Sequence, residues 1–190
     1  MKGEKEMRKN LGAKAILYPM PVLIIGSYDE SGIPNAMNAA WGGISEETEI
    51  SICISDDHKT TENILKRGAF TVSIADKENV AAADYVGIIS GNNVQNKIEI
   101  CGWTDIPSQF VDAPIFKELP MALECKLKSY DDRTCRLVGE IVNVCVEERI
   151  LGVDGKVSLD KFHPITYDPI HHTYRTLGDV VGKAFSIGKE

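Results

Sequence analysis

A lysine and two threonines stand just ahead of a helical stretch in Ser55-Asp56-Asp57-His58-Lys59-Thr60-Thr61. The first turn of a helix has backbone N–H groups with no intrahelical acceptor, so this set suits a phosphate. Ser55, His58, Lys59, Thr60 and Thr61 are its candidate contacts. A capped, solvated helix start fits the same residues equally well, and Asp56 and Asp57 would have to point away from an anion. Upstream, Gly32-Ile33-Pro34-Asn35-Ala36-Met37-Asn38-Ala39-Ala40-Trp41 combines small side chains, two amides and an aromatic. A flat ring system needs backbone amides at close range and little side-chain bulk, and Asn35 through Trp41 offer both on one strand. A tryptophan that ends a strand also fits an ordinary core. Downstream, Asp84-Tyr85-Val86-Gly87-Ile88-Ile89-Ser90-Gly91 leads on to Asn96-Lys97. That glycine-bearing loop and lysine could close over a ligand or simply face solvent.

Other chemistry is missing from the sequence. No G-x-G-x-x-G follows a strand and no G-x-x-x-x-G-K-[ST] occurs, so the common nucleotide cradles are absent. There is no H-E-x-x-H, no paired Cys/His spacing for zinc and no G-x-S-x-G. His171 and His172 are adjacent, which in extended chain points them apart and suits a turn better than a metal site. An enzyme built from these residues would bring its reactive group in as a cofactor.

The formal charge is −7 over 190 residues, and no segment forms a basic stripe. Nucleic acid and anionic membranes are therefore poor partners, and an anionic ligand has to be held by local donors. The five cysteines, Cys53, Cys101, Cys125, Cys135 and Cys145, form no C-x-x-C pair. Their odd number speaks against a disulfide framework and for a reducing compartment. Three of them lie in apolar or alternating runs and are expected in the core as small hydrophobes. Lys2, Lys5, Arg8 and Lys9 precede the apolar stretch from Ala15 to Ile25, the order of a signal peptide. Pro19 and Pro21 break that run, which is also too short to span a membrane. The expectation is a cytoplasmic protein.

The elements that must position these residues are mostly strands. Val22–Tyr28 is continuously apolar, turns through Asp29-Glu30-Ser31-Gly32 and returns as Asn35–Trp41, which makes a hairpin. Glu49–Ile54 alternates, Thr60–Arg67 is a short helix stopped by Gly68, and Phe70–Ile74 is another strand. Asp76 suits the N-cap of a second helix through Val80, Ala83 and Tyr85. Leu123–Ser129 and Cys135–Val146 are strands joined by Tyr130-Asp131-Asp132-Arg133. Both faces of the second are mostly apolar, as for a strand buried in a barrel. Glu124 and Glu140 interrupt these strands and need partners where they are buried. Asp154-Gly155 marks a tight turn, and Leu177–Phe185 reads as a C-terminal helix. Helices this short do not serve as crossovers of a doubly wound sheet, so the pattern predicts one mainly β domain, an antiparallel barrel with helical insertions.

Taken in order, P-N-A-M-N-A-A-W, the H-K-T-T-E-N-I helix start, D-Y-V-G-x-x-S-G with its trailing lysine, and L-E-C followed by G-E-I-V resemble the flavin-reductase-like FMN-binding family, flavoredoxins in particular. The similar stretches run from Pro21 to Tyr174. The resemblance implies a Greek-key-like split β-barrel that forms a homodimer, with FMN near the subunit interface. It implies that Asn35 and Trp41 lie near the flavin, with the Asn38–Ala40 backbone along its ring. Lys59, Thr60 and Thr61 would then meet the phosphate, and Lys97 would close the site. The family often has Thr or Ser where Asn38 stands. His172 or Tyr174 would reach the cofactor from the C-terminal region. The implied activity is electron transfer through FMN, with NAD(P)H or a protein as donor. A flavin-storage module and a pyridoxamine-phosphate-oxidase-like enzyme are the alternatives.

Overall fold

The two-residue period of the apolar runs builds the architecture. The computed structural model describes residues 8–189, so Lys2 and Lys5 lie outside the described residues. The elements in chain order are β1 (Met20–Pro21), β2 (Leu23–Tyr28), β3 (Pro34–Ala39), β4 (Gly42–Glu46), β5 (Glu49–Cys53), α1 (Lys59–Arg67), β6 (Ala69–Ile74), α2 (Val80–Ile88), α3 (Lys97–Ile100), β7 (Asp105–Pro107), β8 (Pro114–Phe116), β9 (Met121–Asp131), β10 (Arg136–Val146), α4 (Leu159–Phe162), β11 (Ile165–Asp168) and β12 (Thr173–Thr176). Seven strands form one curled sheet in the order β3-β2-β6-β9-β10-β5-β4, antiparallel throughout. The sheet is left open between β3 and β4, so the fold is a split β-barrel. Strands β1, β11 and β12 make a second, small sheet, and β7 and β8 a hairpin. Among the described residues, no helix is long and apolar enough to cross a membrane.

Every residue of β2 is buried because both of its faces are covered. Leu23 and Ile25 point into the barrel with Ile52, Phe70, Val72 and Leu137. On the other face, Val22 and Ile24 meet Ala83 and Val86 of α2, Trp103 and Phe116. The sequence predicts the same double burial for β10, and here the structure differs. Leu137 is buried, but Ile141 and Val142 are only half-buried and Val144 is exposed, because the second face of β10 borders an open groove.

Three further expectations are corrected. The predicted helix over Leu177–Phe185 is not formed; the chain there is irregular, with a single short helical turn at Ile187–Lys189. Gly178, Gly182 and the β-branched Val180 and Val181 lower helix propensity, and a helix this short needs a surface to pack on. The second helix starts at Val80, with Asn79 before it. Asp76 acts one step earlier, accepting hydrogen bonds from Asn79 N (2.9 Å) and Asn79 Nδ2 (2.8 Å). All five cysteines are free, but only Cys125 is fully buried, and Cys53 is exposed. Glu124 is buried and takes hydrogen bonds from Ser108 and Asn143, whereas Glu140 is exposed and needs no partner.

Candidate ligand groove between β3 and α2

The β2–β3 hairpin and α2 face each other across a groove whose ends are closed by the N-terminus of α1 and by the β11–β12 hairpin. Three adjoining cavities lie along it. The largest, of 330 Å³, is lined by Asn38, Ala39 and Ala40 on one side and by Asp84, Tyr167, His172 and Tyr174 on the other. The second, of 160 Å³, shares Gly87 and Ile88 with the first and is lined by Met37, His58, Lys59, Thr60 and Lys97. The third, of 130 Å³, shares Lys59 and Gly91 with the second and reaches Asn35 and Asn63.

The structure thus brings together Asn35, Met37, Asn38, Ala39, Ala40, His58, Lys59, Thr60, Lys97 and His172. It does not bring four other candidates to the cavity walls. Ala36 is fully buried beneath α2, in the core with Ala83 and Val86. Trp41 is 59% exposed on the ridge beyond Ala40. Ser55 and Thr61 satisfy each other instead, since the buried Thr61 hydroxyl donates to the Ser55 carbonyl at 2.6 Å.

Two glycines make the groove possible. A Cβ on Gly87 would lie 2.3 Å from the Asn38 amide, and a Cβ on Gly91 would lie 2.4 Å from Asn35 Oδ1. The loop can therefore press directly onto the two amides of β3, which are themselves fixed. Asn38 Nδ2 donates to the Ala83 carbonyl at 2.9 Å, and Asn35 Nδ2 donates to Thr60 Oγ1 at 2.7 Å. The remaining oxygens Asn35 Oδ1 and Asn63 Oδ1 are buried without a partner among the described residues. Both belong to the third cavity, where a ligand or water with hydrogens to donate would satisfy them.

The second cavity is electropositive. Lys97 is 2% exposed, and among the described residues its Nζ donates only to the carbonyls of Ile89 (2.9 Å) and Val86 (3.3 Å) at the C-terminal end of α2. Those carbonyls lack helical partners and carry the negative end of the helix dipole, so the lysine is a cap as well as a wall. Burial pushes the Lys97 amine down to about 8. Opposite stands the start of α1, which has no side-chain cap for its first N–H groups and whose His58, Lys59 and Thr60 line the cavity. Among the described residues, no carboxylate lines this cavity. Lys59 is held by Glu62, 3.1 Å away along the helix.

At the wide end the walls are tied by pairs from distant segments. Tyr174 donates to Asp84 Oδ1 at 2.7 Å, and burial together with that carboxylate raises its phenol above the usual value. Tyr167 and His172 are joined at 2.7 Å between the phenol oxygen and Nδ1, with His172 in the left-handed region at φ 53°. The hairpin itself hangs on Asp168, which accepts from Tyr18 (2.6 Å), His171 Nδ1 (2.8 Å) and Ile170 N (2.9 Å). The bond from Tyr18, then that from His171, holds the Asp168 carboxyl well below the ordinary carboxylate range. His171 and His172 do point apart, one to Asp168 and one to the cavity.

Sequence reasoning missed Asp84, Tyr167 and Asn63. The signal for Asp84 was present, as an acid inside the apolar Val80–Ile88 stretch. Tyr167 had only its spacing from His172 and Tyr174, and Asn63 stood only as the N of the H-K-T-T-E-N-I helix start. Chemically, the groove can hold an anion at the α1 end and a flat, partly polar ring against β3 at the other.

The chain matches the flavin reductase like domain over residues 15–169. Among solved structures, it is similar to the flavoredoxin of Desulfovibrio vulgaris (Miyazaki F), at TM-score 0.91 and 40% identity, covering 96% of this chain and 100% of that one. The flavoredoxin from Methanosarcina acetivorans gives TM-score 0.84 and 27% identity, covering 98% of each. Nitrilotriacetate monooxygenase component B from Bacillus cereus shares the fold, at TM-score 0.77 and 23% identity, covering 88% of this chain and 89% of that one. With the family domain spanning most of the chain and the split barrel in place, this chain belongs to the flavin reductase-like family.

Proposed function

We propose that this chain is a flavin-binding redox protein of the flavoredoxin type, holding FMN in the groove between β3 and α2 as a homodimer. The observation that carries this reading is Lys97: a buried ammonium with only carbonyl partners, facing an uncapped helix start in a cavity without acid. A lone buried charge is costly, and a phosphate is the group that would offset it. One such cavity suits one phosphate, which favours FMN over FAD. The adjoining 330 Å³ cavity, with the Asn38–Ala40 backbone on one wall and aromatic side chains on the other, suits the ring. Gly87 and Gly91 support the same fit, since a side chain at either would fill the groove.

When bound, FMN supplies acceptance of an electron pair and its release in one or two steps. The chain's part is to hold and orient. In this reading Lys97, Lys59, Thr60 and the α1 N–H groups fix the phosphate. Asn38 and the β3 backbone set the ring, and Asp84, Tyr167, His172 and Tyr174 close its far side. The electron donor is NADH, NADPH or a partner protein. The similarity to two flavoredoxins, one at 40% identity, favours the protein-to-protein role.

The test is to purify the yellow protein, extract and identify the chromophore, and then mix it anaerobically with NADH and with NADPH. FMN in stoichiometric amount supports the site, and FAD or pyridoxal phosphate overturns it. Bleaching by a nicotinamide makes the chain a reductase in its own right. No bleaching by either, with the flavin still reducible by dithionite, makes it a carrier between proteins.

A further inference from the structure

The segment after β12 and the groove at the open end of the barrel are two apolar surfaces that do not meet within one chain. Beyond Thr176 the chain carries Leu177, Val180, Val181, Phe185 and Ile187, and Val180, Val181 and Phe185 are at least 90% exposed. A solvated tail is normally polar, so this run of large apolar side chains is built to be covered. The groove has a volume of 580 Å³ and is walled by Leu23, Ile44, Ile50, Val72, Met121 and Val144, of which Ile44 is 65% exposed.

Charge also matches. The arm and its root carry Arg175, Lys183 and Lys189 against Asp179 and Glu190, a balance of +1 in a chain of net charge −7. The β4–β5 side of the groove carries Glu46, Glu47 and Glu49, with Glu140 paired across from Glu49; Lys128 is ion-paired to Glu49, which leaves the other acids in excess.

We propose that the arm of residues 177–189 of one protomer lies in the barrel-end groove of a second copy, the two arms being exchanged about a two-fold axis. This rests on the homodimer reading above and adds its means of assembly. A second copy is favoured over a foreign partner because each chain offers one arm and one groove. A closed two-fold pair covers both at once, whereas a foreign protein would cover one and leave the other in water. Both surfaces also adjoin the wide end of the ligand groove. The arm begins just after Tyr174, which lines that end. The barrel-end groove is bounded by Pro21 and Leu23, on either side of the cavity-lining Val22, and by Gly43, just past Trp41. An exchanged arm therefore brings the partner up to Trp41 and the mouth of the 330 Å³ cavity, so that the site is completed only in the pair.

The test places photoreactive benzoylphenylalanine at Phe185 in dimers assembled from equal amounts of ¹⁴N- and ¹⁵N-labelled chains. Cross-links should join peptides of mixed isotope and map to residues 41–50, 121–123 or 141–144. In parallel, a chain truncated after Thr176 and the variant Ile44→Asp should both dimerise roughly 100-fold or more weakly by sedimentation, with unchanged circular dichroism. Cross-links confined to a single isotope, cross-links to other segments, or undiminished dimerisation of the truncated chain would each overturn arm exchange while leaving the dimer standing. A full-length chain that is monomeric at micromolar concentration would overturn the dimer itself.

Discussion

The two hollows flanking the β2–β3 hairpin are made of opposite materials. The β3–α2 groove is walled by polar atoms that are already tied down: Asn35 to Thr60, Asn38 to Ala83, Lys97 to Ile89 and Tyr174 to Asp84. The barrel-end groove is walled mostly by aliphatic side chains, with Glu47, Thr48 and Asn143 as its few polar members. A small ligand brings little surface, so the donors that meet it must be ordered beforehand, or their ordering cost would consume the affinity. A chain segment brings its own area and needs only a matching apolar wall. One hollow is therefore specific through fixed geometry, the other through burial. Changes in the first should alter ligand binding and leave assembly alone.

The effect of widest reach is expected from Gly87→Ala, which should weaken both flavins. The new Cβ would sit 2.3 Å from the Asn38 amide, which must leave its bond to Ala83 and move into the ring cavity. Overpacking of this kind costs about 1–3 kcal/mol, so FMN and riboflavin should both bind up to roughly 100-fold more weakly. Titrating both flavins into the apo protein, with light scattering for mass, checks it. Riboflavin binding as in the parent would remove the ring from this end of the groove.

Next comes Lys97→Met, which should separate the two flavins. Loss of a charge-assisted bond costs about 1.5–3 kcal/mol, so FMN should weaken roughly 10- to 150-fold while riboflavin holds. The same lysine sets a pH dependence. Its folded pKa, about 8, lies below the ordinary value of 10.5. The free protein therefore gives up this proton as pH rises through 8, and an anion beside the amine would restore it. FMN affinity should be level below pH 8 and fall above it by up to about tenfold per pH unit, with proton uptake on binding. Folding shows the reverse sign: the buried ammonium is a penalty below pH 8 that is relieved as pH rises towards 10.5. Equal pH profiles for parent and Lys97→Met would show that another group titrates.

Thr61→Val should do least to the ligand. Its hydroxyl is spent on the Ser55 carbonyl, so the variant should lose about 1–2 kcal/mol of stability in urea, with FMN affinity changed by no more than about threefold. A much larger loss of FMN alone would return Thr61 to the phosphate site.

Local chemistry was legible in the residues and long-range pairing was not. The β2–β3 hairpin, the α1 start at His58-Lys59-Thr60-Thr61 and the barrel class could be read because period, turn residues and free helix N–H groups depend on neighbours in sequence. The helix expected at Leu177–Phe185 and the double burial expected of β10 failed for one reason. Apolar content shows that a surface wants covering and does not say what covers it. In both places the described residues of the single chain supply nothing.

By itself, then, the sequence determined a mainly β domain and the strand that carries the two amides, and it offered one helix start whose free N–H groups suit an anion. Tertiary structure alone decided which of those residues meet. Thr60 and Thr61 are equivalent in sequence, yet one reaches the cavity and one bonds inward. Lys97 reads as a surface lysine until α2 buries it. Tyr174 finds Asp84 across 90 positions of chain. Burial and pairing are set by segments distant in sequence, and only the closed fold brings those within the few ångströms at which hydrogen bonds and desolvation act.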